Sequence, residues 1–532
     1  MTMILKKNLQ SKNMKNVSKF LIVGITCFVI GAPITTAQNL PKGKSSTVQP
    51  FLDKNEKPYK YEPIDPEYWK VVEEKISSEG FLKIIEDGLE LAEDYGPDSD
   101  DAIEGMLAVG VALRHLKLYY AATMVFKEVA LKRISSELAS KALYELALID
   151  HESYLDPLEM VDDFLNSNEF GTLHPDIQSF VSYYVSMNDL IVGFRNWSKI
   201  EAAQVKSDSY WAHKTQYLKA LNEITQNKLD EAEARLTRIL QNPDVHARLK
   251  NRAELQIARI SFERKDFIKA SNIYKKLEDF PQRERGRILL ERAWSNYYLK
   301  NYSESLGILQ GLKAPFYMVS AAPERYVLEM IIYKQLCYFE KVSDVAKEYY
   351  NVFGDSIKDI KKRRDLKKNK VISQFAMTNM RLQEQANFIN QLREELEMIK
   401  ELDLKDFKYF KDIEKKYADK DSEIQKRLFF MLDQVYPHVS EEVLDSEEQV
   451  KFLDYTAKLD ALRIVRKGEE RHYKSESISY VEFDKVYWPV EEEYWNDELD
   501  DYQVLIKSQC DQSMPSSSGD EGIIKQFGEE FR

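Results

Sequence analysis

One register of four residues recurs along this chain and leaves few folds open to it. A small side chain is followed nine places on by a large one, three later by a second small one, and four later by a large apolar one. The clearest copy is Ala258, Phe267, Ala270 and Tyr274. Ala293, Tyr302, Ser305 and Leu309 repeat it 35 residues on, and Ala220, Leu229, Ala232 and Leu236 precede it by 38. Gly110, Tyr119, Ala122 and Phe126 carry it far upstream. The spacing suits a helical hairpin. A small residue lets two helices touch, a large one covers their joint, another small one admits the returning helix, and the last plugs the contact. Such a unit cannot bury its apolar face alone, so copies stack on their neighbours.

This register resembles the tetratricopeptide (TPR) repeat, whose unit is about 34 residues. The resemblance covers residues 100–350 and implies an all-α fold, a TPR-like α-solenoid in which helical hairpins form a right-handed superhelix. In that family, first-helix side chains line a concave face that takes an extended peptide or a partner helix. On that implication the lining positions are Gln216, Lys219 and Glu223, then Glu254, Ile257 and Ser261, then Trp294, Tyr297 and Tyr298. Gln216, Glu223, Glu254, Trp294, Tyr297 and Tyr298 are the candidate partner-binding residues. Packing between hairpins is an equal reading for Trp294.

The start of the chain has a different character. Lys6, Lys7, Lys12, Lys15 and Lys19 precede the apolar run FLIVGITCFVIGA, which leads to Thr35-Thr36-Ala37. A basic start, a short apolar run and small residues describe an export signal over residues 1–37, cut after Ala37, with Met14 a second candidate start. Retention as an anchor, or acylation at Cys27, are the other readings. Losing residues 1–37 removes five lysines and no acid, moving the net charge from −13 to −18. That balance argues against nucleic acid as a partner, because binding phosphates requires a basic surface.

Residues 38–64 are polar and Pro-punctuated and read as a disordered leader. The solenoid is expected over 65–352, divergent at 156–205 and with a degenerate copy at 323–352. A helical extension follows over 353–505. Within it Phe375, Leu382, Ile389 and Leu396 recur every seven residues, with Leu392 and Ile399 beside them, which predicts a long amphipathic helix near 371–402. It packs back on the solenoid or forms an intermolecular coiled coil. Two or three amphipathic helices are expected over 404–470, and a disordered tail over 506–532.

Two charged segments stand out. IKDIKKRRDLKKNK carries eight Lys/Arg against two acids and reads as a solvated helix face or as a dock for an acidic partner segment, anionic lipid heads or wall polymer, with residues 491–501 as an intramolecular mate. The aromatic–acidic stretch YVEFDKVYWPVEEEYWNDELDDY is similar to the closing segment of exported TPR proteins of predatory and gliding delta-type proteobacteria. That likeness implies a periplasmic part of an envelope machine. Trp488 and Trp495 either cap the solenoid or bind a partner.

No HExxH, CxxC, GxSxG or GxxxxGK[ST] pattern occurs, and the seven histidines show no HxxxH or HxH pair. The sequence therefore points to no catalytic residue, metal or cofactor. Outside the leader only Cys337 and Cys510 remain, and two free thiols are the expectation, with a pair as the alternative in an exported protein. The function implied is a non-enzymatic scaffold gripping other envelope proteins or peptides. Peripheral attachment to membrane or wall stays compatible with it, and the oligomeric state is open. A wall-binding or wall-active protein and an outer-membrane assembly factor are the alternatives.

Overall fold

In the computed structural model the described residues are 80–132, 137–155, 173–192, 205–466 with short breaks (207–208, 246, 278–279, 281, 316 and 318–322), 502–510, and positions 70, 71 and 74. The expected signal 1–37, the leader 38–64, much of 156–205, the acidic–aromatic stretch 480–501 and everything after 510 lie outside them.

All regular structure among the described residues is helical, and successive helices pair as hairpins. The chain is thus an all-α, TPR-like solenoid. Its first helices are α1 (Phe81–Asp94), α2 (Asp100–His115), α3 (Tyr119–Lys132), α4 (Glu137–Glu152), α5 (Pro175–Val192), α6 (Tyr210–Thr225), α7 (Leu229–Gln241) and α8 (Ala247–Glu263). Then come α9 (Phe267–Lys276), α10 (Gln282–Tyr298), α11 (Tyr302–Gly311), α12 (Glu324–Gln335), α13 (Phe339–Lys361), α14 (Lys370–Ala376), α15 (Met380–Glu401) and α16 (Ile413–Arg466). None of these helices is long and apolar enough to cross a membrane.

The four-residue register marks the hairpin contacts. Gly110 of α2 faces the ring of Phe126 of α3, and a β-carbon on Gly110 would lie 2.4 Å from it. In the other copies the first small residue and the last large one are all buried: Ala220 with Leu236, Ala258 with Tyr274, Ala293 with Leu309. Ser305, the second small residue of its copy, donates its hydroxyl to the Ala293 carbonyl at 2.9 Å. The starts of three helices are fixed by side chains: Ser99, Ser209 and Asp266 accept the N–H of Ala102, Ala212 and Lys269.

The hairpin turns share one geometry. Lys117, Asn227, Lys265, Lys300 and Cys337 each adopt a positive φ, between 60° and 64°, two residues past the last residue of a first helix. At each, the next residue donates its N–H five residues back, as Leu118 does to Leu113 and Tyr338 to Tyr333. This is the Schellman closure, which satisfies carbonyls that a helix end leaves open. The shared turn makes α12 and α13 the fifth hairpin of the type, where the sequence predicts only a degenerate copy.

The chain divides into two compact units. One comprises residues 80–250 and 380–431, the other 251–379 with 432–466 and 502–510. In the first, α15 and the opening of α16 pack back on the first hairpin. Glu395 of α15 accepts the Tyr120 N–H at 3.0 Å, and Tyr417 of α16 accepts that of Ala121 at 3.0 Å. Two otherwise open donors at the start of α3 are thereby satisfied from a distant part of the chain. Leu382, Ile389, Leu392 and Ile399 of the heptad seam are buried within this unit, which favours the packed helix over the intermolecular coiled coil. In the second unit, the later part of α16 lies against α13, where Tyr349 donates to the Val443 carbonyl at 2.8 Å and Ser343 to Asp454 at 2.7 Å.

Several expectations are corrected. The helix expected over 371–402 is interrupted by a turn at Met377–Asn379, because the seven-residue spacing from Phe375 to Leu382 bridges two helices. The two or three helices expected over 404–470 are mainly one helix of 54 residues, which runs through Pro437. Buried Leu432, Tyr436, Val439 and Val443 on both sides of the proline offset the one backbone bond it removes. In the basic run, Lys358, Lys361, Arg364 and Lys367 pair with Asp355, Glu447, Asp359 and Asp433. Half its cations thus have carboxylate partners within their own unit.

Candidate peptide-binding seat

Residues 502–510 occupy a face of the second unit as an extended segment. Tyr502, Val504 and Ile506 pack against the core cluster built by α10, α11 and α12, whereas Gln503, Leu505 and Lys507 are exposed. This alternation of two is that of an extended chain with one face buried. Tyr338 meets the segment directly, and Tyr298, Tyr302 and Tyr333 are partly buried against the same core cluster. Tyrosines suit such a surface because the ring covers apolar area while the hydroxyl stays polar.

The segment is held mostly through its backbone. Val504 donates its N–H to the Ser303 carbonyl at 3.0 Å, and the Ser303 hydroxyl donates to the Val504 carbonyl at 2.8 Å. The Tyr338 hydroxyl donates to the Lys507 carbonyl at 2.8 Å, and Gln509 N–H to the Leu336 carbonyl at 3.0 Å. A disulfide between Cys337 and Cys510, with Cα atoms 5.3 Å apart, closes the far end. The expectation of two free thiols is therefore corrected. So is the assignment of residues 506–510 to a disordered tail.

Gly307 explains why the segment lies where it does. Glycine inside a helix costs about 1 kcal/mol relative to alanine. Here a β-carbon would fall 1.6 Å from the Tyr502 carbonyl oxygen and 2.7 Å from Gln503 N. Only a bare α-carbon admits the crossing backbone.

The sequence-derived candidates fall into separate groups. Gln216 accepts from Arg235 at 2.5 Å and Glu223 pairs with the same guanidinium at 2.6 Å, both in the first unit. Glu254 is half-buried on α8. Trp294 and Tyr297 are buried in the core cluster, with rings 5.7 Å apart. Tyr298 stacks on Phe267 at 4.5 Å and belongs to the same cluster as Tyr502. Trp294, Tyr297 and Tyr298 thus belong to the one core cluster against which the segment also packs. Sequence reasoning missed Ser303, Gly307, Cys337 and Tyr338. The signal was present in the alternation of YQVLIKSQC and in a cysteine standing at a hairpin turn.

On the same unit, burial raises the half-buried Glu324 carboxyl above its ordinary value, opposed by Arg287 and by a hydrogen bond from Trp294.

No protein-family model matches the chain, and neither a curated protein nor a solved structure does.

Proposed function

We propose that this chain is a non-enzymatic scaffold of the tetratricopeptide kind, exported to the bacterial periplasm, where its hairpins hold other envelope proteins. The observation that carries the reading is the seated segment 502–510. A face of consecutive hairpins accommodates an extended peptide through backbone bonds and alternate apolar side chains, as peptide-binding repeats do. The Cys337–Cys510 bond supports export, because structural disulfides persist in oxidising compartments and are rare in the cytosol. The basic, apolar N-terminal segment supports it independently.

Crosslinking in intact cells followed by mass spectrometry tests the proposal. The expected result is a set of envelope proteins joined to residues 251–379, with Cys337 and Cys510 recovered as one disulfide-linked pair. Recovery of the chain in the cytosolic fraction with both thiols free would refute it.

A further inference from the structure

We propose that the seat under Tyr502–Cys510 is an exchangeable peptide site, occupied in cis by this chain's own segment until the Cys337–Cys510 bond opens. Its other occupant is an extended segment of a partner protein with apolar residues at three alternate positions. This deepens the scaffold reading by naming the site and the chemistry of what it holds.

The seated segment is the template for the ligand. The hydrogen bonds at Ser303, Leu336 and Tyr338 meet backbone atoms of the segment and do not read its side chains. What the seat selects is therefore extended backbone, apolar groups where Tyr502, Val504 and Ile506 lie, and a crossing point over Gly307. The outward positions are unconstrained, since Gln503, Leu505 and Lys507 are exposed. Such a site tolerates many sequences that share the alternation.

The disulfide decides which occupant wins. Cys337 and Cys510 are both only half-buried, so a thiol can reach them. Exchange proceeds by attack of an external thiolate on one sulfur, forming a mixed disulfide and releasing the other cysteine as thiolate. The second thiol of a dithiol reductant then displaces the remaining cysteine. Two electrons and two protons pass to the protein, leaving two thiols, and the reductant becomes a disulfide. Once opened, the segment is tethered only through the residues between Arg466 and Tyr502. Being part of the same chain, it competes with a partner peptide as an intramolecular ligand. While the bond is closed, no free peptide at ordinary concentration displaces the segment.

The probe is a fluorescein-labelled peptide of residues 502–509, followed by anisotropy. The oxidised full chain should not bind it. A chain ending at residue 501 should, and the same truncation carrying Gly307→Ala should not. The full chain reduced with dithiothreitol should bind roughly tenfold or more weakly than the truncated one, because its own segment competes. Equal binding to the oxidised chain, or unchanged binding after Gly307→Ala, would overturn the assignment of the site. So would failure of the truncated chain to bind while it still melts cooperatively.

Should the truncated chain not fold, hydrogen exchange on the full chain carrying Cys337→Ser and Cys510→Ser decides between release and retention. Faster exchange at Val504 and Gln509 than in the oxidised parent supports release. Identical protection shows that the bond does not control the seat. Failure here leaves envelope crosslinks untouched, and absence of envelope partners leaves the peptide result standing, so the two readings fail separately.

Discussion

The carbonyl of Tyr502 rests on Gly307, 1.6 Å from where a β-carbon would stand. Helix α11 and residues 502–503 therefore cannot keep their positions once any other residue occupies 307. Gly307→Ala should lift the segment while leaving the hairpins folded. Overfilling a packed contact costs about 1–3 kcal/mol. Amide exchange at Val504 should accordingly accelerate roughly tenfold or more, read by mass spectrometry of the oxidised protein. Unchanged protection at Val504 would show that the backbone accommodates the methyl group.

Opening the Cys337–Cys510 bond should destabilise the second unit. The bond spans a sequence separation of 173. A loop of that length corresponds to about 5 kcal/mol of denatured-state entropy, an upper bound, and measured losses are typically about 2–4 kcal/mol. Urea unfolding with and without reductant, monitored by fluorescence, measures the difference. Coincident curves would mean that the segment contributes nothing to the stability of the hairpins.

The two losses combined in Cys337 variants can be separated. Cys337 has φ 64°, a left-handed conformation that costs a side chain about 1–2 kcal/mol and glycine almost nothing. Cys337→Gly and Cys337→Ser both remove the bond, yet the glycine variant should be the more stable by about 1 kcal/mol. Equal midpoints in parallel urea titrations would refute the left-handed turn as a source of strain.

Stability should depend on Glu395 near neutrality. Burial pushes its carboxyl up to about 7 from an ordinary 4.5, although Tyr417, Gln391 and backbone N–H groups hold it down. The folded value is the higher one, so folding favours the protonated form. The contribution is fully present below about pH 4.5 and is lost as pH rises through about 7. At about 1.4 kcal/mol per pH unit, the window amounts to roughly 3 kcal/mol. Glu395→Gln, which keeps the neutral shape, should flatten melting temperature against pH between 5 and 8. A slope unchanged by the substitution would assign that dependence to other groups.

The repeat register predicts opposite effects for two glycines. Gly110→Ala drives a methyl group into the Phe126 ring and should cost about 1–3 kcal/mol. Gly354→Ala, on α13 with nothing within 4 Å of the added carbon, should gain about 0.5–1 kcal/mol. Thermal melts of the two variants, one below and one above the parent, would satisfy both halves.

The hairpins were legible in the sequence because side-chain volume at Gly110 and Phe126, or Ala293 and Leu309, is what brings the helices together. Their turns were not. Lys117, Lys265 and Lys300 occupy positions where glycine is the usual marker, so the signal was missing although the geometry was kept. A proline such as Pro437 ordinarily marks a helix end, and only burial on both sides reveals that α16 continues through it. Of the candidate residues, Trp294, Tyr297 and Tyr298 fall in the cluster against which segment 502–510 packs, and that segment itself was not read from the sequence. Pairing Cys337 with Cys510 depends on two chain regions far apart in sequence.

Fastening Cys510 to Cys337 gives the aromatic–acidic stretch 480–501 two moorings, at Arg466 and at Tyr502, where a simple tail would have one. A single proteolytic cut within it would leave both fragments travelling together on a non-reducing gel.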